Sequence, residues 1–185
     1  MDKDEKLDAY RAILLKWSER INLIGPEARR NIDEHLHEAL EAARILEPKG
    51  RVLDFGSGGG LPAIPMAIAS PEATFYLCEA DQKKWSFLKR AIRECALNSV
   101  VLGDRLQRAL ETLDSEVKFR LVTSRAVGRP SEWVPLVADR LEQGARVALF
   151  ERDPELPPIP GFAIASTHRL PRGDQNYLVV LTRSA

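Results

Sequence analysis

The chain of 185 residues carries 27 basic and 27 acidic side chains, giving a formal net charge of zero, and 44% of it is apolar. That length and apolar content suit one globular domain with a full core, while zero net charge excludes a protein that coats nucleic acid through overall basicity. No run approaches the roughly 18 consecutive apolar residues of a membrane helix, and the polar start MDKDEKLDAY lacks the apolar core of a signal peptide, so a cytoplasmic protein is expected.

Leu7, Tyr10, Leu14, Trp17 and Ile21 recur three and four apart, which predicts an amphipathic helix over 7–24, punctuated by Pro26. Ile32, His35, Leu36, Ala39, Leu40 and Ala43 share one face of a second helix over about 31–46, stopped by Pro48 and Gly50. From Arg51 the texture changes. β-Prone runs at 52–55, 74–78, 100–102, 119–123 and 145–150 alternate with helical stretches at 62–69, 82–95, 106–113 and 131–141. Such alternation predicts parallel strands joined by right-handed crossovers, hence a doubly wound α/β sheet. The segment 153–161, with four prolines, cannot be a regular helix. Two further strands, at 163–170 and 177–182, flank Pro171, Arg172 and Gly173 with no helix between them, so they should pair antiparallel as a terminal hairpin. The expectation is a single domain: a helical cap over 1–50, then a Rossmann-like core over 51–185 with seven strands, five parallel and two closing one edge. No heptad seam argues for self-association, so a monomer is expected. Cys78 and Cys95 lack metal-ligand spacing and read as buried, reduced thiols.

The first strand runs directly into Gly56-Ser57-Gly58-Gly59-Gly60-Leu61. In an open α/β sheet, ligands sit at the carboxyl ends of the strands where strand order reverses. The nicotinamide fingerprint G-x-G-x-x-G fails because Leu61 stands at the third glycine position, and the phosphate-binding loop fails because no Gly-Lys-Ser/Thr follows. Asp54, just before the bend, would repel a pyrophosphate and suit a ligand with a positive group. Glu79 ends the second strand, where an acid accepts from a ribose diol. A nucleoside with a cationic tail and no phosphate describes S-adenosylmethionine. The D-x-G-x-G-x-G pattern of Asp54, Gly56, Gly58 and Gly60 resembles the glycine motif of the Rossmann-like methyltransferases.

Neither cysteine follows the fourth strand, where a covalent nucleophile for a pyrimidine carbon would stand. The stretch Thr123-Ser124-Arg125-Ala126-Val127 also lacks the Asn/Asp-Pro-Pro-aromatic clamp used on exocyclic amines. The histidines are His35, His37 and His168, and His35, on an apolar helix face, reads as a packed residue. No general base is evident. Guanine N7 needs none: it has a lone pair and no proton, so catalysis can rest on positioning. A methyltransferase of the same fold acting on a small molecule or protein, and a cofactor-binding chain without transfer activity, stay open as alternatives.

Five short motifs line up across the chain: Trp17-Ser18 with Asn22-Leu23-Ile24; His35-Leu36-His37-Glu38-Ala39-Leu40; the glycine motif over 53–65; Glu79 with Lys83-Lys84-Trp85-Ser86-Phe87-Leu88; and Ser124-Arg125-Ala126. Together they resemble the bacterial small-subunit ribosomal RNA guanine-N7 methyltransferases, the RsmG family, also called glucose-inhibited division protein B. The resemblance implies S-adenosylmethionine as cofactor and ribosomal RNA or the small ribosomal subunit as partner, with no metal. It implies that Asp54, Gly56, Ser57, Gly58 and Leu61 meet the cofactor, that Glu79 holds its ribose, and that Leu106 and Gln107 flank its adenine. It further implies that Arg125, the candidate catalytic residue, sits by the methionine end or the target base. Lys83, Lys84 and Arg129 are the implied RNA phosphate contacts. The chain departs from the family pattern at Gln107, where an acid is usual. It also departs at Phe150-Glu151-Arg152, where the fifth strand usually ends in Lys-Gly, and in the proline-rich 153–161 segment.

Overall fold

The computed structural model of the chain describes every residue except Arg172, Asp174 and Ala185. Asp2 opens helix α1 (Lys3–Ser18) with a capping box: its carboxylate accepts from the Glu5 amide at 2.9 Å, and the Glu5 carboxylate accepts from the Asp2 amide at 2.8 Å. The helix stops short of the 7–24 span expected. At its end the Ser18 hydroxyl donates to the Leu14 carbonyl at 2.7 Å, a local bond that competes with helix continuation, and the chain then turns so that Leu23 is buried. Pro26 opens a short helix rather than merely punctuating one. It occupies the first turn of α2 (Pro26–Arg30), where its missing N–H has no intrahelical partner to lose. Helix α3 (Ile32–Leu46) matches its expected span and ends at Glu47, which takes a left-handed φ of 43°.

Strands β1 (Arg51–Phe55), β2 (Thr74–Cys78), β3 (Ser99–Leu102) and β4 (Phe119–Arg125) are linked in turn by α4 (Ala63–Ala69), α5 (Gln82–Glu94) and α6 (Leu106–Thr112). The connection to β5 (Leu141–Glu151) is not the helix expected over 131–141. It is α7 (Pro130–Trp133) followed by a 3-10 stretch at Val134–Arg140. Pro135 has no N–H to donate and its ring crowds the preceding turn, so an α-helix cannot run through it. Strand β6 (Phe162–Arg169) and strand β7 (Tyr177–Arg183) form the terminal antiparallel hairpin. Of the three residues expected at its turn, Arg172 lies outside the described residues.

The seven strands lie in the order β3-β2-β1-β4-β5-β7-β6, with β7 inserted antiparallel between β5 and β6. The chain runs outward from β1 to β3, then returns to place β4 on the other side of β1, which puts the switch point between β1 and β4. Alternate side chains feed two cores. Val52, Phe75 and Leu77 pack with α1, α3, α4 and α5; Leu53, Val122 and Val147 pack with α6, α7 and the 3-10 stretch. The cap helices thus complete one of the two layers on the sheet, and they reach the switch point from that side.

Candidate active site

The bend after β1 is tied down by backbone bonds. The amides of Gly56 and Ser57 both donate to the Cys78 carbonyl, at 3.0 and 3.2 Å, and the Ile64 amide donates to the Gly60 carbonyl at 2.7 Å. Two glycines are required outright. Gly56 has φ +75°, and a Cβ there would lie 2.1 Å from the Val127 methyl; Gly60 has φ +84°, and a Cβ would lie 2.5 Å from Ile64. From the cap, the buried Tyr10 hydroxyl donates to the Gly59 carbonyl at 2.7 Å. Glu79 braces the other side: one carboxylate oxygen accepts from the Gly58 amide and the other from the Asp81 amide, both at 2.8 Å. A carboxylate has about four acceptor sites, so Glu79 keeps capacity for hydroxyl donors.

Asp54 lies beneath the bend rather than in it. It is 1% exposed, its partner across the sheet is Thr123, and the Thr123 hydroxyl donates to its carboxylate at 2.6 Å. Burial pushes its pKa up to about 6, against the opposing hydrogen bond from Thr123. Asp54 therefore lies below the bend, buried and bonded to Thr123, where its charge reaches the bend from beneath. Cys78 and Cys95 are buried free thiols, pushed by burial up to about 12 and about 11.

Three cavities open around the carboxyl ends of the central strands. The first, about 350 Å³, is lined by Phe55, Glu79, Leu106, Gln107, Trp133 and Leu136 among others, and is mainly apolar. The second, about 320 Å³, lies across Gly56 from the first and is bounded by the bend, Ile24, His35, Lys84 and Arg125. The third, about 420 Å³, is lined by Glu38, Arg125, Phe150, Glu151, Arg152 and Asn176 among others. Gly56 belongs to the first two cavities and Arg125 to the last two. Burial raises the Glu151 carboxyl above its ordinary value.

Gly56, Ser57, Gly58, Leu61, Glu79, Leu106, Gln107 and Arg125 thus line two cavities that adjoin at Gly56. Lys84 was expected at RNA phosphates; the structure places it on the wall of the second cavity. Lys83 is exposed at the start of α5, and Arg129 is exposed on the loop after β4, 3.7 Å from Glu132. Three residues went unrecognised in the sequence as part of this site. Trp133 lines the first cavity, tilted against Phe55 with ring centroids 4.9 Å apart, and its indole N–H is buried without a hydrogen-bond partner among the described residues. His35 and Glu38, three residues apart on α3, approach Arg125: its Nη2 lies 2.6 Å from His35 Nδ1 and 3.9 Å from Glu38 Oε2. The i,i+3 spacing of His35 and Glu38 put them on one face, but nothing along the chain tied that face to the end of β4.

A two-part ligand fits this arrangement. The apolar first cavity suits a purine, with an indole donor in its wall that is unpaired among the described residues and acceptors at Glu79 and Gln107. The second suits a short polar chain that crosses the glycine bend. The family model for GidB, the rRNA small subunit methyltransferase G, matches residues 3–151. The chain belongs to that family. It is 37% identical to the ribosomal RNA small subunit methyltransferase G of Chromobacterium violaceum over 148 residues, covering 78% of this chain and 69% of that protein. It is 32% identical to the protein of the same name from Ralstonia nicotianae, covering 98% of this chain and 87% of that one. Two solved structures share the fold at 14% identity. The ribosomal protein L11 methylase of Lactobacillus delbrueckii subsp. bulgaricus has a TM-score of 0.59, with 80% of this chain and 77% of that one covered. The mitomycin 7-O-methyltransferase MmcR has a TM-score of 0.62, with 86% and 59% covered. The fold is that of the Rossmann-like class I methyltransferases, and the family's members are methyltransferases.

Proposed function

We propose that this chain transfers a methyl group from S-adenosylmethionine to N7 of a guanine in small-subunit ribosomal RNA. The observation that carries this reading is the line of three cavities: two meet at Gly56 and two at Arg125, so a cofactor site and an acceptor site adjoin at one guanidinium. When bound, S-adenosylmethionine supplies an electrophilic methyl on a sulfonium. Glu79 would accept from the ribose hydroxyls, while Leu106, Gln107 and Trp133 would enclose the adenine. The bend, at Gly56, Ser57, Gly58 and Leu61, would follow the chain that leads to the sulfonium. Asp54, buried below it, contributes negative charge that favours a cation there.

Arg125, at the last position of β4, orients the target base from between the second and third cavities. Glu38 and Glu151 line the third cavity, and carboxylates accept from the N1–H and N2–H₂ groups of a guanine edge. No proton leaves guanine N7 when it is methylated, so the residues here need only align the lone pair with the methyl. His35 does not serve as a base, because its Nδ1 already accepts from Arg125. Lys83 and Arg129 contact RNA phosphates at the rim. The test is incubation with a methyl-labelled cofactor and undermethylated small-subunit RNA. Label should enter the RNA, and Arg125→Ala should cut the rate at least about a hundredfold, as loss of a positioning contact does. A wild type that binds the cofactor but leaves the RNA unlabelled has a different acceptor.

A further inference from the structure

His35 is 3% exposed, lines the second cavity, and carries a buried Nε2 with no hydrogen-bond partner among the described residues. Its tautomer is decided by its neighbour. A guanidinium has N–H donors and no acceptor, so Arg125 Nη2, at 2.6 Å, must donate to a bare Nδ1, and the ring proton resides on Nε2. Glu38, 2% exposed, lies 3.9 Å from the same guanidinium nitrogen and supplies its counter-charge. The result is a relay from Glu38 through Arg125 to His35 that ends in one donor without an acceptor. Buried donors are nearly always satisfied in native proteins, and one left bare is costly.

The charge on the cavity walls says what completes it. The second cavity is lined by the cations Lys84 and Arg125 and by His35, with no acid among its described lining residues, whereas the third sets Glu38, Glu151 and Asp153 beside Arg125 and Arg152. An anionic oxygen is therefore better matched by the second cavity, where no carboxylate competes for the cations, and the carboxylates of the third suit the donor-rich edge of a guanine. We propose that the Nε2–H of His35 donates to the carboxylate of the methionine portion of S-adenosylmethionine, with Lys84 as the opposing charge and Arg125 holding the tautomer. This rests on the reading that the first two cavities take that cofactor, and it assigns the methionine end to residues of the cap.

Calorimetric titration with two probes tests it: S-adenosylmethionine, and decarboxylated S-adenosylmethionine, which keeps the nucleoside, sulfonium and ammonium but lacks the carboxylate. His35→Ala should weaken the first at least about tenfold, the loss of a hydrogen bond to a charged group, and leave the second within about twofold. His35→Gln, whose amide can both accept from Arg125 and donate onward, should recover most of the affinity. Lys84→Gln, at a partly exposed position on α5, should show the same carboxylate-dependent loss even if His35→Ala folds poorly. Equal losses on both probes would mean that His35 only shapes the pocket, and would overturn the proposal. Unchanged cofactor affinity with a raised KM for RNA would move the donor to the base and overturn it as well. A wild type that binds neither probe would instead remove the cofactor reading on which the proposal stands.

Discussion

Asp54 is costly to the fold in its charged form. Its folded pKa of about 6 lies above the ordinary 3.8, so the folded chain holds the proton more tightly than the unfolded chain does. Its contribution to stability is therefore largest at acid pH and falls as pH rises from about 4 to about 6, leaving the ionised form roughly 3 kcal/mol worse off at neutrality. Asp54→Asn should raise the denaturation midpoint at pH 7 and weaken binding of the cationic cofactor. In the wild type, affinity for the cofactor should climb between pH 5 and 7. A less stable Asn variant with unchanged affinity would show that the charge under the bend is structural. The proximity of residues close in local order, such as the glycines of the bend and Glu79 just after β2, to the cavities was legible in the sequence. That of Trp133, His35 and Glu38 was not: each reaches the site from a separate element, and an apolar-face histidine reads the same along the chain whether it is packed or at a cavity wall. Asp54 was legible as part of the motif, but its depth beneath the bend was not, since a strand's last inward residue can face ligand or core.

At the scale of elements, the bend is held by what packs on it. Alanine at Gly56 would combine a left-handed φ with a methyl 2.1 Å from Val127. Gly56→Ala should cost about 2 to 4 kcal/mol, from the φ penalty and the overpacking together. Adding Val127→Ala should remove the overpacking part and leave the φ part. Denaturant midpoints for the two single variants and the double variant measure this, and simple additivity would refute the clash. The span of β2 was readable to the residue because apolar and β-branched positions end where Glu79 and Asp81 begin. The 131–141 stretch misled because its apolar spacing is helical while Pro135 forbids the helix. Likewise, the hairpin was readable, but the placement of β7 inside β6 was not. A strand pair satisfies its own hydrogen bonds equally well with either member against β5, and the choice is made by the buried apolar run Leu178–Leu181, too apolar for an edge.

For the whole molecule, neutrality sets the terms of RNA binding. With no net charge to attract a polyanion, affinity must come from a local set, and Arg90 and Lys89 are already engaged, one with Glu94 and one over the Trp85 ring at 4.3 Å. If Lys83, Lys84 and Arg129 carry the phosphate contacts, log affinity for small-subunit RNA against log salt should fall with a slope of about −2 to −3. Assigning Lys84 to the cofactor carboxylate instead would lower that slope by nearly one, to about −1.5. A flat salt response would favour a small acceptor. The most direct measurement is the position of the transferred methyl. Undermethylated small-subunit RNA, incubated with the protein and S-adenosylmethionine, is treated to cleave the strand at N7-methylguanosine and the break is mapped. One new break at a guanine is the predicted result. Methyl transfer without such a break, or transfer to another atom, would contradict the account.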